Sequence, residues 1–171
     1  MATYLLKRSY QLKNLKEVSF KDLWGDHGVF TTMWIFGKPA KILFFESHIK
    51  NLTKSLNRYG IIKKSLKKDI LKILNINLSK SKRYNHLLRI ALNKKVISIS
   101  LRKRIKPKLD FNLKLVNLRR EKPQYKNLKY KKILSHLAKL DNSKSDIGLV
   151  VNNKILESGT SNLLFVKKQK I

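Results

Sequence analysis

Cysteine is absent from this chain of 171 residues. Disulfide bonds, thiolate metal sites and cysteine nucleophiles are therefore excluded. The apolar runs, of which residues 42–45 are typical, are far too short to span a bilayer, so we expect no membrane association. The first eight residues place their apolar part before their charge, unlike a secretory signal. The first sixteen residues contain no acid, which leaves organelle targeting open beside the cytoplasmic location that we expect.

Acidic residues are scarce: 10 stand against 40 lysines and arginines, for a net charge of +30. A charge of this size produces an electrostatic field that attracts any polyanion. A genome rich in Lys, Asn and Ile codons would produce the same composition without any function. A nucleic-acid surface is usually concentrated in one element or interleaved with aromatic residues. Here the basic residues are spread along the chain, so we expect no specific nucleic-acid partner; they include 63–64, 67–68, 80–83, 102–108, 119–120, 131–132 and 167–170.

Apolar residues make up 42% of the chain, which is enough to bury a core. Hydrophobic periodicity predicts an α+β fold. A hairpin is expected first, with a strand ending at Phe36, a turn at 37–39 and a return strand at 40–45. Two helices follow. The first is expected to carry Ile49, Leu52, Leu56 and Tyr59 on one face and to end at Gly60. The second starts after Ser65, with Leu66, Ile70, Leu71 and Leu74 facing inward. Strands are then expected at 87–92 and 96–101.

The basic stretch 102–108, which contains Pro107, is expected to separate two domains, at residues 1–105 and 106–171. Beyond it, alternation predicts a strand whose buried face carries Leu109, Phe111, Leu113 and Leu115. Helical spacing returns at 127–138, and strands are expected at 147–151 and 162–166.

Two stretches in the second half of the chain contain residues that could take part in catalysis. In residues 125–130, Lys126 stands at the entrance of the predicted helix, with Tyr130 four residues later. In residues 155–162, a strand ends at Glu157 and breaks into a turn of small residues. An amine that can form an imine, together with a carboxylate that can hold a protonated pyridine nitrogen, is what pyridoxal phosphate needs from a protein.

The order of these motifs resembles the class IV pyridoxal-phosphate-dependent aminotransferases. Residues 25–32, a Gly-Asp-His-Gly turn followed by Val-Phe-Thr-Thr, are similar to that family's N-terminal turn and strand, and residues 46–52 to its His-x-x-Arg-Leu helix. Residues 125–130 resemble its lysine motif and residues 154–165 its glutamate motif, and 31 residues separate Lys126 from Glu157. The resemblance covers nearly the whole chain.

The resemblance implies a two-domain fold, with a small N-terminal α/β domain and an incomplete C-terminal cofactor domain. It implies that Lys126 is the catalytic residue, which binds the cofactor aldehyde and then moves a proton. Both tasks need an amine that is neutral part of the time, so we expect burial and nearby positive charge to lower its pKa. Glu157 would bind the pyridine nitrogen and Tyr130 the phenolic oxygen. Backbone amides near the cofactor would come from Ser158, Gly159 and Thr160, and the protein would be a homodimer.

Two departures from the family pattern stand out. The helix arginine that helps to hold the cofactor phosphate is replaced by Asn51, and neither Lys50 nor Arg58 stands at the matching position. The sequence stops at Ile171, before the later segments that grip the phosphate and the substrate, so we expect a chain truncated at its C-terminus. The four histidines lack the spacing of metal ligands, and no metal is expected.

The reaction stays open between several alternatives. Members of the family include branched-chain and D-amino-acid transaminases and aminodeoxychorismate lyase, which releases 4-aminobenzoate for folate. Thr31 stands where the transaminases more often carry glutamate, which favours the lyase. In each case the substrate is a small molecule resembling an amino acid. The alternatives of another class are an inactive fragment and a basic nucleic-acid-binding protein on the same fold.

Overall fold

The computed structural model describes residues 3–166, so the basic run at 167–170 lies outside the described residues. The chain divides into two compact units. The first contains the residues up to Arg104 together with Gln124–Lys129, and the second contains Ile105–Pro123 with the residues from Tyr130 onwards.

Nine strands and three helices are formed by the described residues, which confirms the α+β class. In chain order they are β1 Tyr4–Gln11, β2 Glu17–Val18, β3 Gly28–Gly37, β4 Lys41–Ile42, α1 Phe45–Arg58, α2 Leu66–Asn77, β5 Tyr84–Asn93, β6 Val96–Lys103, β7 Asn112–Asn117, α3 Lys131–Leu137, β8 Ser145–Val151 and β9 Lys154–Ser158.

The first unit is built on an antiparallel sheet in the order β2-β1-β6-β5-β3-β4. Successive side chains of a strand point to opposite faces, so one register fixes which residues enter the core. Met33 pairs with Leu88 and Ile35 with His86, and Met33, Ile35 and Leu88 are almost completely buried. They join the apolar cluster that also contains the inner residues of both helices of this unit.

Helices α1 and α2 present the expected spacing with one exception. Helix α1 buries Ile49, Leu52 and Leu56 and ends before Gly60, whose φ of +69° suits a residue without Cβ. Leu71 of α2 was predicted to face inward, but it is 40% exposed. That prediction is wrong because the helix turns its apolar face through Ile73 instead, which is 1% exposed.

The return strand of the hairpin is shorter than predicted. Residues 40–45 were expected to be extended, but β4 contains only Lys41–Ile42. Phe44 adopts a left-handed conformation with φ of 51°, and α1 starts at the next residue. A left-handed residue cannot continue a strand, so the chain leaves the sheet there.

The second unit contains the sheet β7-β8-β9, in which β7 and β8 are parallel and β9 is antiparallel to β8. Helix α3 precedes β8 along the chain and lies against the sheet. Its residues Ile133 and Leu137 form a buried cluster with Ile147 and Leu149 of β8.

The buried face predicted for residues 109–115 is wrong. Leu109 is fully exposed and Leu115 is 58% exposed. The strand β7 begins only at Asn112, and its half-buried residues are Leu113 and Val116. The alternation of apolar and polar residues over 109–115 therefore runs through a segment of which only the part from Asn112 onwards is a strand.

Two further boundaries also differ from the prediction. The helix expected from residue 127 starts at Lys131, because Asn127 forms an antiparallel bridge with Val29. The strand expected at 162–166 is not formed, and β9 is the last strand of the described residues.

We predict that Gly28→Ala destabilises the first unit by about 1–3 kcal/mol, the usual cost of overpacking, or more. A Cβ on Gly28 would clash with the carbonyl oxygen of Leu92 and would lie 2.8 Å from Cδ1 of Leu128. The matched control is Gly60→Ala, where a Cβ meets nothing within 4 Å and only the positive φ costs about 1 kcal/mol. Both tryptophans, Trp24 and Trp34, belong to this unit, so denaturant unfolding followed by their fluorescence measures it. Equal losses in the two variants would contradict the close approach at Gly28.

Candidate functional site

The segment that carries Lys126 is attached to the beginning of β3 by backbone hydrogen bonds. The amide of Phe30 donates to the carbonyl of Lys126 at 2.8 Å, and the amide of Leu128 donates to the carbonyl of Gly28 at 3.0 Å. The amide of Gly25 donates to Leu128 at 2.8 Å. These bonds hold the backbone on both sides of Lys126, and they use the glycine turn that the sequence analysis associated with the family.

The Lys126 side chain is exposed, so the burial expected around it is not found. Its positive charge acts on His48 of α1. The pKa of His48 is lowered, mainly by burial and then by the charge of Lys126. The ring of His48 also shares a hydrogen bond of 2.8 Å between its Nδ1 and the hydroxyl of Thr31 on β3. The histidine and threonine of the two N-terminal motifs are therefore direct partners.

A second contact joins α1 to the lysine segment. The guanidinium of Arg58, in the last turn of α1, lies 5.0 Å from the centre of the Tyr125 ring. Tyr59 meets the same ring edge-on at 6.3 Å. Asn51 and Lys50 are exposed on the helix. Of the two cations considered as replacements for the family arginine, Arg58 is thus the one that stacks on the residue preceding Lys126.

In the second unit, Glu157 is held by an arginine that the sequence analysis did not single out. The Nε of Arg120 donates to both carboxylate oxygens of Glu157, at 3.0 and 3.1 Å. The Arg120 side chain is 7% exposed and that of Glu157 26%. A second nitrogen of the guanidinium donates to the carbonyl of Pro123. In the sequence, Arg120 was one of many basic residues, and only its place just before the lysine motif could have drawn attention to it.

Tyr130 is half-buried beside the same arginine, whose guanidinium carbon lies 5.8 Å from the ring centre. Burial raises the pKa of Tyr130; Arg120 opposes this shift, and Glu157 adds to it. The hydroxyl donates to the carbonyl of Gly159 at 2.8 Å. A phenol has one proton to donate, and in this arrangement that proton is used in the bond to Gly159.

The turn after Glu157 is hydrogen-bonded both to strand β8 and within itself. The amide of Gly159 donates to the carbonyl of Ile147 at 2.9 Å, and the amide of Thr160 donates to Oδ2 of Asp146 at 2.9 Å. The hydroxyl of Ser158 donates to the carbonyl of Ser161. Two of the three amides expected to face a cofactor are therefore already bonded within the protein.

The second unit thus brings five of the six predicted site residues together: Tyr130, Glu157, Ser158, Gly159 and Thr160. Lys126, the sixth, belongs to the first unit. Among residues 3–166 no group of three or more histidine, aspartate or glutamate side chains could hold a metal ion. No helix of the described part is long and apolar enough to cross a membrane.

Comparison with known proteins gives one family. The sequence profile of the class IV amino-transferases matches residues 28–171, a range that contains all six predicted site residues. A search of curated proteins finds no match.

Solved structures share the fold at low sequence identity. A hypothetical aminotransferase from Mycobacterium tuberculosis, in its pyridoxal-phosphate-bound form, is 13% identical with a TM-score of 0.62, over 90% of this chain and 66% of that one. The same protein with α-ketoglutarate and pyridoxamine phosphate is 14% identical with a TM-score of 0.61, over 89% and 65%. A candidate 4-amino-4-deoxychorismate lyase is 16% identical with a TM-score of 0.59, over 85% and 64%. The chain spans slightly less than two thirds of the length of these structures.

We predict that Lys126→Ala raises the pKa of His48, because it removes the nearby positive charge, but leaves that pKa below the ordinary 6.5, because burial persists. A histidine NMR titration of the unaltered chain and the variant measures both effects. Lys129→Ala is the matched control: it removes a lysine of the same segment, whose amine donates to the carbonyl of Gly25. An unchanged pKa in Lys126→Ala, or the same rise in Lys129→Ala, would contradict the assigned proximity.

Proposed function

The chain belongs to the class IV amino-transferase family, and we propose that it carries the lysine and the glutamate of a pyridoxal-phosphate site. The observation that carries the proposal is the family match over residues 28–171, because this one range contains Lys126 and Glu157 together with strand β3. The hydrogen bonds that tie the Lys126 segment to that turn support it.

The residues present fit the aldehyde and the ring nitrogen of pyridoxal phosphate. The aldehyde needs a primary amine, which Lys126 offers on an exposed residue. The protonated ring nitrogen needs an acceptor, and Glu157 is a partly exposed carboxylate whose orientation Arg120 fixes through both oxygens. When bound, the cofactor supplies an electron sink that weakens bonds at the substrate carbon carrying the amino group.

We assign the roles to this chain's residues as follows. Lys126 would hold the cofactor aldehyde and, once released by substrate, accept the proton of the substrate carbon. Glu157 accepts a hydrogen bond from the ring nitrogen and keeps it protonated, while Arg120 keeps the carboxylate in place. The proposal requires Lys126 and Glu157 to reach the same cofactor molecule.

Tyr130 and the turn have narrower roles. Tyr130 can meet the phenolic oxygen of the cofactor as a donor only if its hydrogen bond to Gly159 breaks, because its single proton is used there. The amides of Gly159 and Thr160 are bonded within the protein, so we assign Ser158, Gly159 and Thr160 to the wall of the site rather than to donated hydrogen bonds.

In our proposal the chain has two domains and forms a homodimer. Residues 1–105 form the small domain and residues 106–171 the beginning of the cofactor domain, in a homodimeric cytoplasmic protein. The phosphate needs further ligands, because Asn51 replaces the family arginine and is exposed. Within the described residues, Arg58 is the cation of α1 that lies against the lysine segment.

For the reaction, we propose aminodeoxychorismate lyase over a transaminase of branched-chain or D-amino acids. The motif Phe30-Thr31-Thr32 supports this choice, because Thr31 stands where the transaminases more often carry glutamate. Thr31 is 4% exposed and bonded to His48, so its influence on a substrate passes through His48.

The reaction is tested on the purified chain with added pyridoxal phosphate. We expect release of 4-aminobenzoate from aminodeoxychorismate to exceed transfer of an amino group to α-ketoglutarate. Both products are measured by chromatography in one reaction mixture. Faster amino transfer would contradict the lyase assignment and leave the cofactor site unaffected.

The cofactor site is tested by reduction with borohydride. We expect the purified chain with pyridoxal phosphate to develop an absorbance band in the visible range. Reduction should then leave a stable pyridoxyl group on Lys126, which peptide mapping by mass spectrometry locates. Lys126→Ala should lose both the band and the label, because no other amine is placed by the family motif.

Lys131→Ala is the control, since it removes an exposed lysine at the start of α3 and should keep the label on Lys126. The many surface lysines make non-specific labelling the main competing result. Label scattered over the chain, or retained in Lys126→Ala at the level of the unaltered chain, would refute the proposed site.

A further inference from the structure

Asp146, the second residue of β8, is a buried carboxylate that the proposed chemistry does not use. It is 1% exposed. Five donors converge on it, which suits a carboxylate acting only as acceptor. Its Oδ1 accepts from the amide of Ile147 at 2.8 Å, and its Oδ2 accepts from the amide and hydroxyl of Thr160 at 2.9 and 3.0 Å and from the amide and hydroxyl of Ser161 at 2.9 and 2.8 Å.

These bonds fasten the turn that follows Glu157 to the beginning of β8. Gly159 lies so close that an added Cβ would come within 2.7 Å of Oδ1 of Asp146 and of Cγ1 of Ile147. The amide of Gly159 also donates to the carbonyl of Ile147. The turn is therefore held through three consecutive residues, and glycine is the residue that allows the carboxylate to approach the backbone.

Once fixed, this turn restrains two groups of the proposed site. The carbonyl of Gly159 accepts the hydrogen bond of the Tyr130 hydroxyl at 2.8 Å. Glu157 lies at the end of β9 and pairs with Leu149, so its backbone is fixed by the sheet on one side and by the turn on the other. Release of the turn would free both the Tyr130 hydroxyl and the C-terminal side of Glu157.

We propose that Asp146 is the positioning residue of this site: its carboxylate fixes the turn 158–161 and, through that turn, places the Glu157 carboxylate for the cofactor. This inference rests on the proposed function. Asp146 itself touches neither the cofactor nor the substrate in this assignment. Substitution of Asp146 should change the affinity for the cofactor and the absorbance spectrum of the bound cofactor. Residues that orient metal ligands through hydrogen bonds have the same kind of indirect effect.

Asp146→Asn is the decisive variant because the amide cannot serve all five donors. If its nitrogen takes the place of Oδ2, it faces the amides of Thr160 and Ser161, which can only donate. If it takes the place of Oδ1, it faces the amide of Ile147. Either way at least one buried donor loses its partner, and a neutral amide oxygen accepts more weakly than a carboxylate from the donors that remain, including the amides of Thr160 and Ser161.

Asp141→Asn is the matched control. Asp141 also accepts from a backbone amide and a hydroxyl, those of Ser143 at 2.9 and 2.7 Å, but it is exposed and holds the loop before β8. It has no bond to the turn after Glu157.

Two measurements are made on the complete chain. Amide hydrogen exchange, without cofactor, reports the turn directly. We expect the amides of Thr160 and Ser161 to exchange roughly tenfold faster or more in Asp146→Asn, as for loss of a buried hydrogen bond, and at the unaltered rate in Asp141→Asn. Titration with pyridoxal phosphate should give a dissociation constant raised about tenfold and, at saturation, a shifted absorbance band.

The band at saturation separates positioning from simple support of the fold, since a purely structural residue lowers stability without altering the bound cofactor. Ser161→Ala is the milder second variant should Asp146→Asn fail to fold: it removes one hydroxyl donor, and a smaller change in the same direction is expected. Faster exchange with an unchanged dissociation constant and band would overturn the positioning role alone. Absence of label on Lys126 in the unaltered chain would instead overturn the proposed function, and the positioning role with it.

Discussion

The attachment of the Lys126 segment to the beginning of β3 is the interaction on which the rest of the account depends. It joins residues about a hundred positions apart through three backbone hydrogen bonds, and it is possible because Gly28 has no Cβ where Leu92 and Leu128 approach. A turn and a strand from the first third of the chain thereby fix the backbone of the proposed catalytic lysine. Motifs that are separate in the sequence become one local structure.

Acidic residues are rare in this chain, and two of the ten form the hydrogen bonds that hold the proposed site in the second unit. Glu157 is paired with Arg120, and Asp146 gathers five donors around the following turn. In a chain with a net charge of +30, a carboxylate easily finds cationic partners. Asp146 instead accepts only from amides and hydroxyls, which are directional donors and therefore fix a turn more closely than a mobile lysine would.

The parts of the structure that the sequence predicted are those with local signals. Hydrophobic periodicity predicts the strand at Val29 to Phe36 and the helix containing Ile49, Leu52 and Leu56. Gly60 predicts where that helix ends. The misplaced boundaries, at Asn127 and at residues 109–115, depend on long-range pairing and on which face another element covers. Lys126, Tyr130 and Glu157 came from a resemblance to family motifs. Arg120 and Asp146 could not be found in this way, because their importance lies in partners 37 and 14 residues away.

The central claim is that Lys126 and Glu157 serve one molecule of pyridoxal phosphate. A crystal structure of the chain after reaction with the cofactor and reduction with borohydride tests it most directly. We expect a pyridoxyl group bonded to the Lys126 amine. The ring nitrogen of that group should lie within hydrogen-bonding distance of the Glu157 carboxylate, and Arg120 should still be hydrogen-bonded to that carboxylate. A pyridoxyl group on another lysine, or on Lys126 with its ring nitrogen in solvent away from Glu157, would contradict the claim.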